Sequence, residues 1–441
     1  MNSTPPTTEH MPHHHAARAA RRGWKPWILF LVAGLFYFYE FFARVAPGVL
    51  KEDIVSATQT TEGGFGLAMS MYFLAYAPAQ LVVGRLLDRF GTRIIIAPAT
   101  LLVAFGCLIF ATSSNISLMG VGRFMQGLGS AVAYLAAVYL AMIWFPPRRH
   151  GIIPGLTVAI GTLGASTAQY PLALMNEEWG WRAPMYGCFF VGIAICILLW
   201  MVVPRRPTWF MDLMKEDGYD PETPEPLTHT IMNIARDRQL WLISLAAAGI
   251  YLPISVVGDL WGVTFLTIET GMNIKNASLV TTLVFIGFAI GGVTIGHLSD
   301  RFQKRKGFFI LAGLATSIVA SALLLVQYQS TALTIVLFAL LGLSVGGQCL
   351  AFVMTADNSA RHTRGMKLAF VNFVVMIFPV VVQPGVGLIS SMGLTEGQTP
   401  NPGQEVRGFA LVVVLILLST VLTFFVKETK PREDAGPGGL H

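Results

Sequence analysis

A chain of 441 residues that is 54% hydrophobic and only 12% charged is not an ordinary soluble domain, in which about a quarter of residues carry charge. Its net charge of +6 does not read as nucleic-acid affinity, because no basic stripe with interleaved aromatics occurs. It matches what orientation in a membrane requires.

Residues 1–23 form a polar tail, expected to be cytoplasmic. The tail has no apolar core followed by a small-residue cleavage site, so no signal peptide is expected. Its His10, His13, His14 and His15 read as bystanders rather than metal ligands. Twelve apolar runs follow, each near the roughly 20 residues that cross a bilayer. They are predicted at 25–47, 64–86, 93–113, 116–145, 152–175, 183–203, 239–268, 276–298, 307–328, 330–355, 366–392 and 407–427. The first six make a bundle over 24–203 and the last six a bundle over 239–427. Between them, 204–238 is a cytoplasmic linker with Pro204-Arg205-Arg206-Pro207, an acidic, proline-rich patch from Glu216 to Glu225, and an amphipathic stretch from Ile231 to Arg238. Residues 428–441 form a second cytoplasmic tail. With the N-terminus inside, the inside segments hold 24 of the 30 Lys and Arg residues, and the outside loops hold only Lys51, Arg182, Lys275 and Arg407. That bias places both ends in the cytoplasm. Cys107, Cys188, Cys196 and Cys349 lie inside spans without ligand spacing and read as packing residues with no disulfide framework.

The halves repeat. Gly84-x-x-x-Asp88-Arg89, between spans two and three, returns as Gly296-x-x-x-Asp300-Arg301, a shift of 212 residues (296 less 84). The same shift carries Arg149-His150 onto Arg361-His362 and brings Tyr170-Pro171 within one residue of Gln383-Pro384. Duplicated membrane halves of like orientation are related by an axis along the membrane normal, and secondary transporters of this build hold their solute between the halves.

Three motifs resemble a known family. Gly84-x-Leu86-x-Asp88-Arg89-x-Gly91-x-Arg93 resembles the signature between helices two and three of the major facilitator superfamily. Arg123-x-x-Gln126-Gly127-x-Gly129 is similar to its fourth-helix motif, and Trp179-Gly180-Trp181-Arg182 to a pattern before its sixth helix. The resemblance runs over roughly 24–427. It implies an all-α polytopic membrane protein of twelve transmembrane helices in two pseudo-symmetric bundles, working by alternating access.

In the repeated turn, Gly84 is expected to let two helices approach closely and Gly91 to permit the tight turn. Asp88 suits a neighbouring helix N-terminus, while Arg89 and Arg93 hold the loop at the cytoplasmic surface. The resemblance gives Gly84, Asp88, Arg89, Gly91, Arg93, Asp300 and Arg301 a gating role, as a latch that makes and breaks between states. In the second copy the counterpart of Gly91 is lost to the run Gln303-Lys304-Arg305-Lys306.

Arg123 lies about 10 Å inside the fourth span at 1.5 Å per residue. A buried cation costs on the order of 3 kcal/mol or more, so a wet cavity or a partner is expected beside it; the alternative is snorkelling to the outer surface. Gln126, Ser130 and Tyr134 share its stripe, and Gly127 and Gly129 lie off it, free for close packing. Replacing Arg123 by Ala is expected to abolish uptake and leave expression near normal. Glu40 and Arg44 stand one turn apart in the first span with Tyr37 on their face, either neutralising each other or facing Asp259 of the symmetry-related seventh span. Glu40 or Asp259, shielded from water, is the expected proton carrier. Gln169, Gln348, Asn372 and Gln383 read as substrate contacts or as glue between helices, and Pro171 and Pro384 as bends in spans five and eleven.

These residues predict a transporter of a small carboxylate-bearing or zwitterionic solute (organic acid, amino acid or dipeptide) in a bacterial inner membrane, with proton coupling the mode the buried acids favour. Substrate-binding or coupling candidates are Tyr37, Glu40, Arg44, Arg123, Gln126 and Asp259. The expected partners are the solute, protons and membrane lipid, without nucleic acid, metal or cofactor, and the chain is expected to be a monomer. Proton-driven drug efflux is a rival, weakened because the fifth span, Gly161 to Pro171, lacks a Gly-Pro-x-x-Gly-Gly string. A second rival rests on Gly34 to Glu40, which resembles the start of the lysosomal dipeptide transporter branch. A third is a transporter-like sensor without flux. No His-Glu-x-x-His, nucleophile elbow or phosphate-binding loop is present, so neither an enzyme nor an ATP-driven pump is expected.

Overall fold

The computed structural model describes residues 23–146, 149, 153–205, 232, 234, 236–325, 330–359, 361–393 and 401–429, with the backbone alone for 361–364. The tail histidines, the acidic linker patch, most of the Ile231 to Arg238 stretch, His150, and the side chains of Arg361 and His362 lie outside the described residues.

Backbone polar groups in hydrocarbon must be satisfied within the chain, and helices do this segment by segment. The described residues accordingly hold helices and no strand. Among the described residues eleven helices are long and apolar enough to cross a membrane: Lys25–Val49, Glu62–Phe90, Thr92–Thr112, Ile116–Trp144, Arg182–Val202, Arg238–Thr270, Ile274–Phe302, Arg305–Leu325, Thr331–Asp357, Gly365–Ser390 and Pro402–Phe425. They correspond to the expected spans one to four and six to twelve. The expected fifth is in two shorter pieces, Ile153–Thr167 and Tyr170–Trp179. Pro171 opens the second piece at a position where its missing N–H costs nothing.

Polar residues before the apolar runs set several starts. Thr61 accepts from Gly64 N at 3.1 Å, Asn115 from Ser117 N at 2.8 Å, and Asn273 from Asn276 N at 2.9 Å. Asn401 and Gln404 form a capping box. Each supplies an acceptor to a helix N–H that has none of its own.

Several spans are not regular. The fourth divides into Ile116–Ser130 and Ala133–Trp144, and the tenth passes through a 3₁₀ stretch at Gly346–Cys349. The seventh contains a nine-residue π-helical stretch, Pro253–Trp261. By contrast the eleventh, expected to bend at Pro384, remains one helix, Arg361–Ser390, through both Pro379 and Pro384.

The halves meet where the second span packs on the eleventh and the fifth on the eighth. Gly66 makes the first contact possible: a Cβ there would stand 2.8 Å from the Gln383 carbonyl. Phe65 meets Trp261 edge to face at 6.0 Å between centroids, and Glu177 pairs with Lys275 across the fifth–eighth seam. These contacts gather toward the end that carries the Leu50–Thr61 connection.

Candidate functional site

The centre of the molecule is a buried polar network built from the first, second, fourth and seventh spans. Arg44 donates from Nε and Nη2 to Asp259 Oδ2 at 2.9 and 2.5 Å, and from Nη2 to Tyr251 Oη at 3.2 Å. Its guanidinium lies 4.8 Å from the Phe41 ring centroid and 5.1 Å from that of Phe73, so the cation is held by one carboxylate and two aromatic faces. Arg44 and Asp259 are each 2% exposed, and Arg44 is therefore not at the outer interface. The pair joins the two halves.

Glu40 does not share that bond. Its Oε2 accepts from Tyr72 Oη at 2.7 Å, and its Oε1 and Asp259 Oδ1 are buried without a hydrogen-bond partner. Two carboxylates thus each hold one buried oxygen without a protein partner. Tyr37 is buried beside them, its ring 5.0 Å from Phe41 and 5.6 Å from Tyr134. Tyr72 and Tyr76 stack at 5.7 Å. The structure brings Tyr37, Glu40, Arg44 and Asp259 to one place.

Arg123 and Gln126 sit behind that place, against the backbone of the first span. Arg123 Nη1 donates to Ala43 O at 3.1 Å and to Gln126 Oε1 at 2.8 Å, and Nη2 donates to Arg44 O at 3.0 Å. The guanidinium covers the Tyr72 ring at 4.8 Å, and Gln126 Nε2 reaches Cys107 Sγ at 3.4 Å. Neither snorkelling nor an open cavity describes Arg123: it is 2% exposed and its described polar contacts are protein groups. Ala43 is four residues before Pro47, which has no N–H to give its carbonyl. Arg123 supplies the missing donor. Gly127 lets the fourth span close on the second, because a Cβ there would overlap the Tyr72 carbonyl.

The repeated turn lies at the opposite end from the Leu50–Thr61 connection. Gly91 has φ +80°, the positive value that favours glycine. Gly84 was expected to bring helices together, yet a Cβ at Gly84 or at Gly296 would meet nothing within 4 Å. Both glycines face open space here. Asp88 is partly buried and Arg89 exposed, with Arg89 5.4 Å from the Phe90 ring and Arg93 4.5 Å from that of Trp200. In the second copy Asp300 pairs with Arg305, while Arg301 is exposed. Gln303, standing where the first copy has Gly91, keeps a positive φ of +53°. The turn survives the loss of its glycine.

Sequence reasoning missed Tyr72, Tyr76 and Tyr251. Tyr72 and Tyr76 are four apart on one helix face, and Tyr251 is Tyr39 shifted by the repeat interval of 212; both signals were present in the chain. It also missed Lys51, whose Nζ lies 2.6 Å from Glu62 Oε2 and 4.6 Å from the Trp261 ring, nearly buried at the seam. Gln169 and Gln383 act between helices: Gln169 Nε2 donates to Gly258 O at 3.0 Å and Gln383 Nε2 to Ser255 O at 2.7 Å. The four cysteines are free thiols.

Comparison with known proteins agrees with this architecture. Residues 29–268 and 245–440 match the family model described as Major Facilitator Superfamily. A probable galactarate/D-glucarate transporter of Escherichia coli is 23% identical, over 95% of this chain and 97% of its own length. A membrane sensor protein of Salmonella typhimurium is also 23% identical, over 81% of this chain and 83% of its own. The crystal structure of a bacterial homolog to the human lysosomal transporter Spinster, inward-facing and unoccupied, superimposes with a TM-score of 0.73 at 15% identity, covering 92% of this chain and 97% of that one. The chain is a multi-pass membrane protein, with two bundles of helices, that belongs to the major facilitator superfamily.

Proposed function

We propose that the protein moves a small carboxylate-bearing solute across a bacterial inner membrane by alternating access, coupled to protons. The observation that carries this reading is the buried Arg44–Asp259 pair between the halves, with Glu40 beside it. A guanidinium is a ready partner for a carboxylate. When Asp259 takes a proton, Arg44 loses its counter-charge and is free to accept the carboxylate of the solute. Proton and anion then enter the same site for a reason of charge alone. The relative named for galactarate and glucarate supports the solute class.

In this reading bundles 24–203 and 239–427 rock about the pair, both termini are cytoplasmic, and the state in hand is closed on the outside by the Phe65, Lys51 and Trp261 contacts. Tyr37, Glu40, Arg44 and Asp259 form the solute and coupling site. Arg123 and Gln126 hold its first-span wall, and Gly84, Asp88, Arg89, Gly91, Arg93, Asp300 and Arg301 gate the cytoplasmic side. A single chain surrounded by lipid suffices for this cycle.

The test is flux. Purified protein in liposomes carrying an internal pH dye is offered galactarate and a panel of organic acids, amino acids and dipeptides. Saturable uptake of a carboxylate with proton entry, lost in Arg44→Gln, is the expected result. The sensor relative favours a second reading, in which a ligand raises the melting temperature yet no member of the panel moves. That outcome would replace transport by sensing.

A further inference from the structure

The seventh span winds as a π-helix over Pro253–Trp261, the segment that carries Asp259. π-helical turns are rare and less stable than α-helix, and they persist where surrounding contacts hold them. Here the contacts come from both halves. Gln169, at the break in the fifth span, is 1% exposed and donates to Gly258 O at 3.0 Å. Gln383, in the eleventh span, is 2% exposed and donates to Ser255 O at 2.7 Å. The Gln383 carbonyl also accepts from Trp261 Nε1 at 3.1 Å, at the end of the same stretch. A Cβ on Gly48 of the first span would stand 2.8 Å from the Asp259 carbonyl, so the first span presses on the turn from a third side. The two glutamines lie within two residues of repeat-related positions, Gln169 two residues before Pro171 and Gln383 immediately before Pro384.

We propose that Gln169 and Gln383 are positioning residues: their amides hold Pro253–Trp261 in its π register, and that register keeps the Asp259 carboxylate on Arg44. Shifting a helix by one residue turns its side chains by about 100° at 3.6 residues per turn. Re-winding the stretch as α-helix therefore swings Asp259 away from the first span and opens the seam that Arg44 closes. The glutamines act through Asp259, so this rests on the reading of the Arg44–Asp259 pair given above.

The experiment places a reporter thiol at Phe65→Cys, facing Trp261 across the seam, and measures its labelling by a membrane-impermeant maleimide from outside in right-side-out vesicles. Protein with its four native cysteines alone gives the blank. Met matches the length of Gln and has no donor. Gln169→Met and Gln383→Met are each expected to raise the labelling rate about tenfold, as is Asp259→Asn. In the Asp259→Asn background neither Met change is expected to add to the rate, whereas a packing defect would add its own factor. Met variants that label like wild type beside a fast Asp259→Asn would overturn the positioning role alone. A slow Asp259→Asn would overturn the ion-pair reading, and the positioning role with it. If both Met variants fail to give a monodisperse peak, Gln169→Asn and Gln383→Asn, which stay polar but are one carbon too short to reach these carbonyls, decide by hydrogen exchange: amides of 254–262 should exchange faster in each than in wild type, and equal rates overturn the proposal.

Discussion

Arg123 offers the sharpest test of how this chain satisfies its buried backbone. Pro47 deprives the Ala43 carbonyl of its helical donor, and Arg123 Nη1 occupies that carbonyl at 3.1 Å. Nη2 takes the neighbouring Arg44 carbonyl at 3.0 Å. Hydrogen bonds from a charged group are worth about 1.5–3 kcal/mol each, and more when loss leaves the partner buried and unmatched. Arg123→Ala should therefore cost about 3–6 kcal/mol, with the larger share at Ala43. If one half melts as a unit, that is a fall of roughly 6–24 °C, accompanied by less folded protein and not by loss of uptake alone. Pro47→Ala gives residue 47 an N–H that can reach the Ala43 carbonyl. In that background the Arg123→Ala loss should shrink by about 2 kcal/mol. Melting curves of the four proteins of the cycle, in one detergent, measure the coupling. Additive losses would refute the claim that Arg123 replaces the donor that Pro47 removes.

Other outcomes follow from the same geometry. Arg44→Met or Asp259→Ala alone should destabilise by about 3–5 kcal/mol by stranding a buried charge, and the two together by less than either; equal or greater loss in the double variant would show that the pair is not the partner of each charge. Gln303→Gly should raise stability by about 0.5–1 kcal/mol by relieving the left-handed residue of the second turn, checked by thermal melting. Asp237 caps the seventh span and accepts from Lys367 Nζ at 2.7 Å. Partial burial pushes its carboxyl up, but the Lys367 bond and the Leu240 and Gln239 N–H groups outweigh this and hold it below the usual range. A depressed folded-state value contributes stability above the unfolded value, about pH 4, and loses it as pH falls through the folded one. The deficit of Asp237→Ala should thus be full at pH 7 and shrink below about pH 4; a deficit independent of pH would assign Asp237 to neutral capping alone.

The order of spans was legible because hydrophobic length and charge bias are properties of local sequence. Eleven expected crossings return as helices of the required length within a few residues of their predicted ends. Arg44 and Asp259 could be set face to face from the repeat alone. What could not be read was which partner each charge takes. Glu40 is one turn from Arg44 in sequence, yet Arg44 bonds Asp259 and Glu40 bonds Tyr72. That choice depends on how the second and seventh spans rotate about their axes. No pattern of apolar residues fixes such a rotation, because nearly every face is apolar. Gly84 failed as a guide for a related reason: a glycine near a helix end permits close approach without compelling it, and the neighbour is absent in this state.

The breaks in the helices carry the rest of the argument. In water an interrupted helix can turn its loose carbonyls to solvent, whereas in hydrocarbon each must find a donor from another span. Four polar side chains of this protein meet that need: Arg123 at the carbonyl freed by Pro47, Gln169 and Gln383 at the π turn, and Gln80 Nε2 at Ala131 O at 2.9 Å, beside the break in the fourth span. Two kinds of buried polar group therefore coexist. Arg123, Gln169 and Gln383 are tied to backbone carbonyls, although each keeps one polar atom without a partner, whereas Glu40 and Asp259 carry their unpartnered oxygens on side chains bonded only to other side chains. A sequence shows both as polar residues in apolar runs. The location of the breaks separates them, and under the proposed function it sets Arg123 in the scaffold and Arg44 in the site.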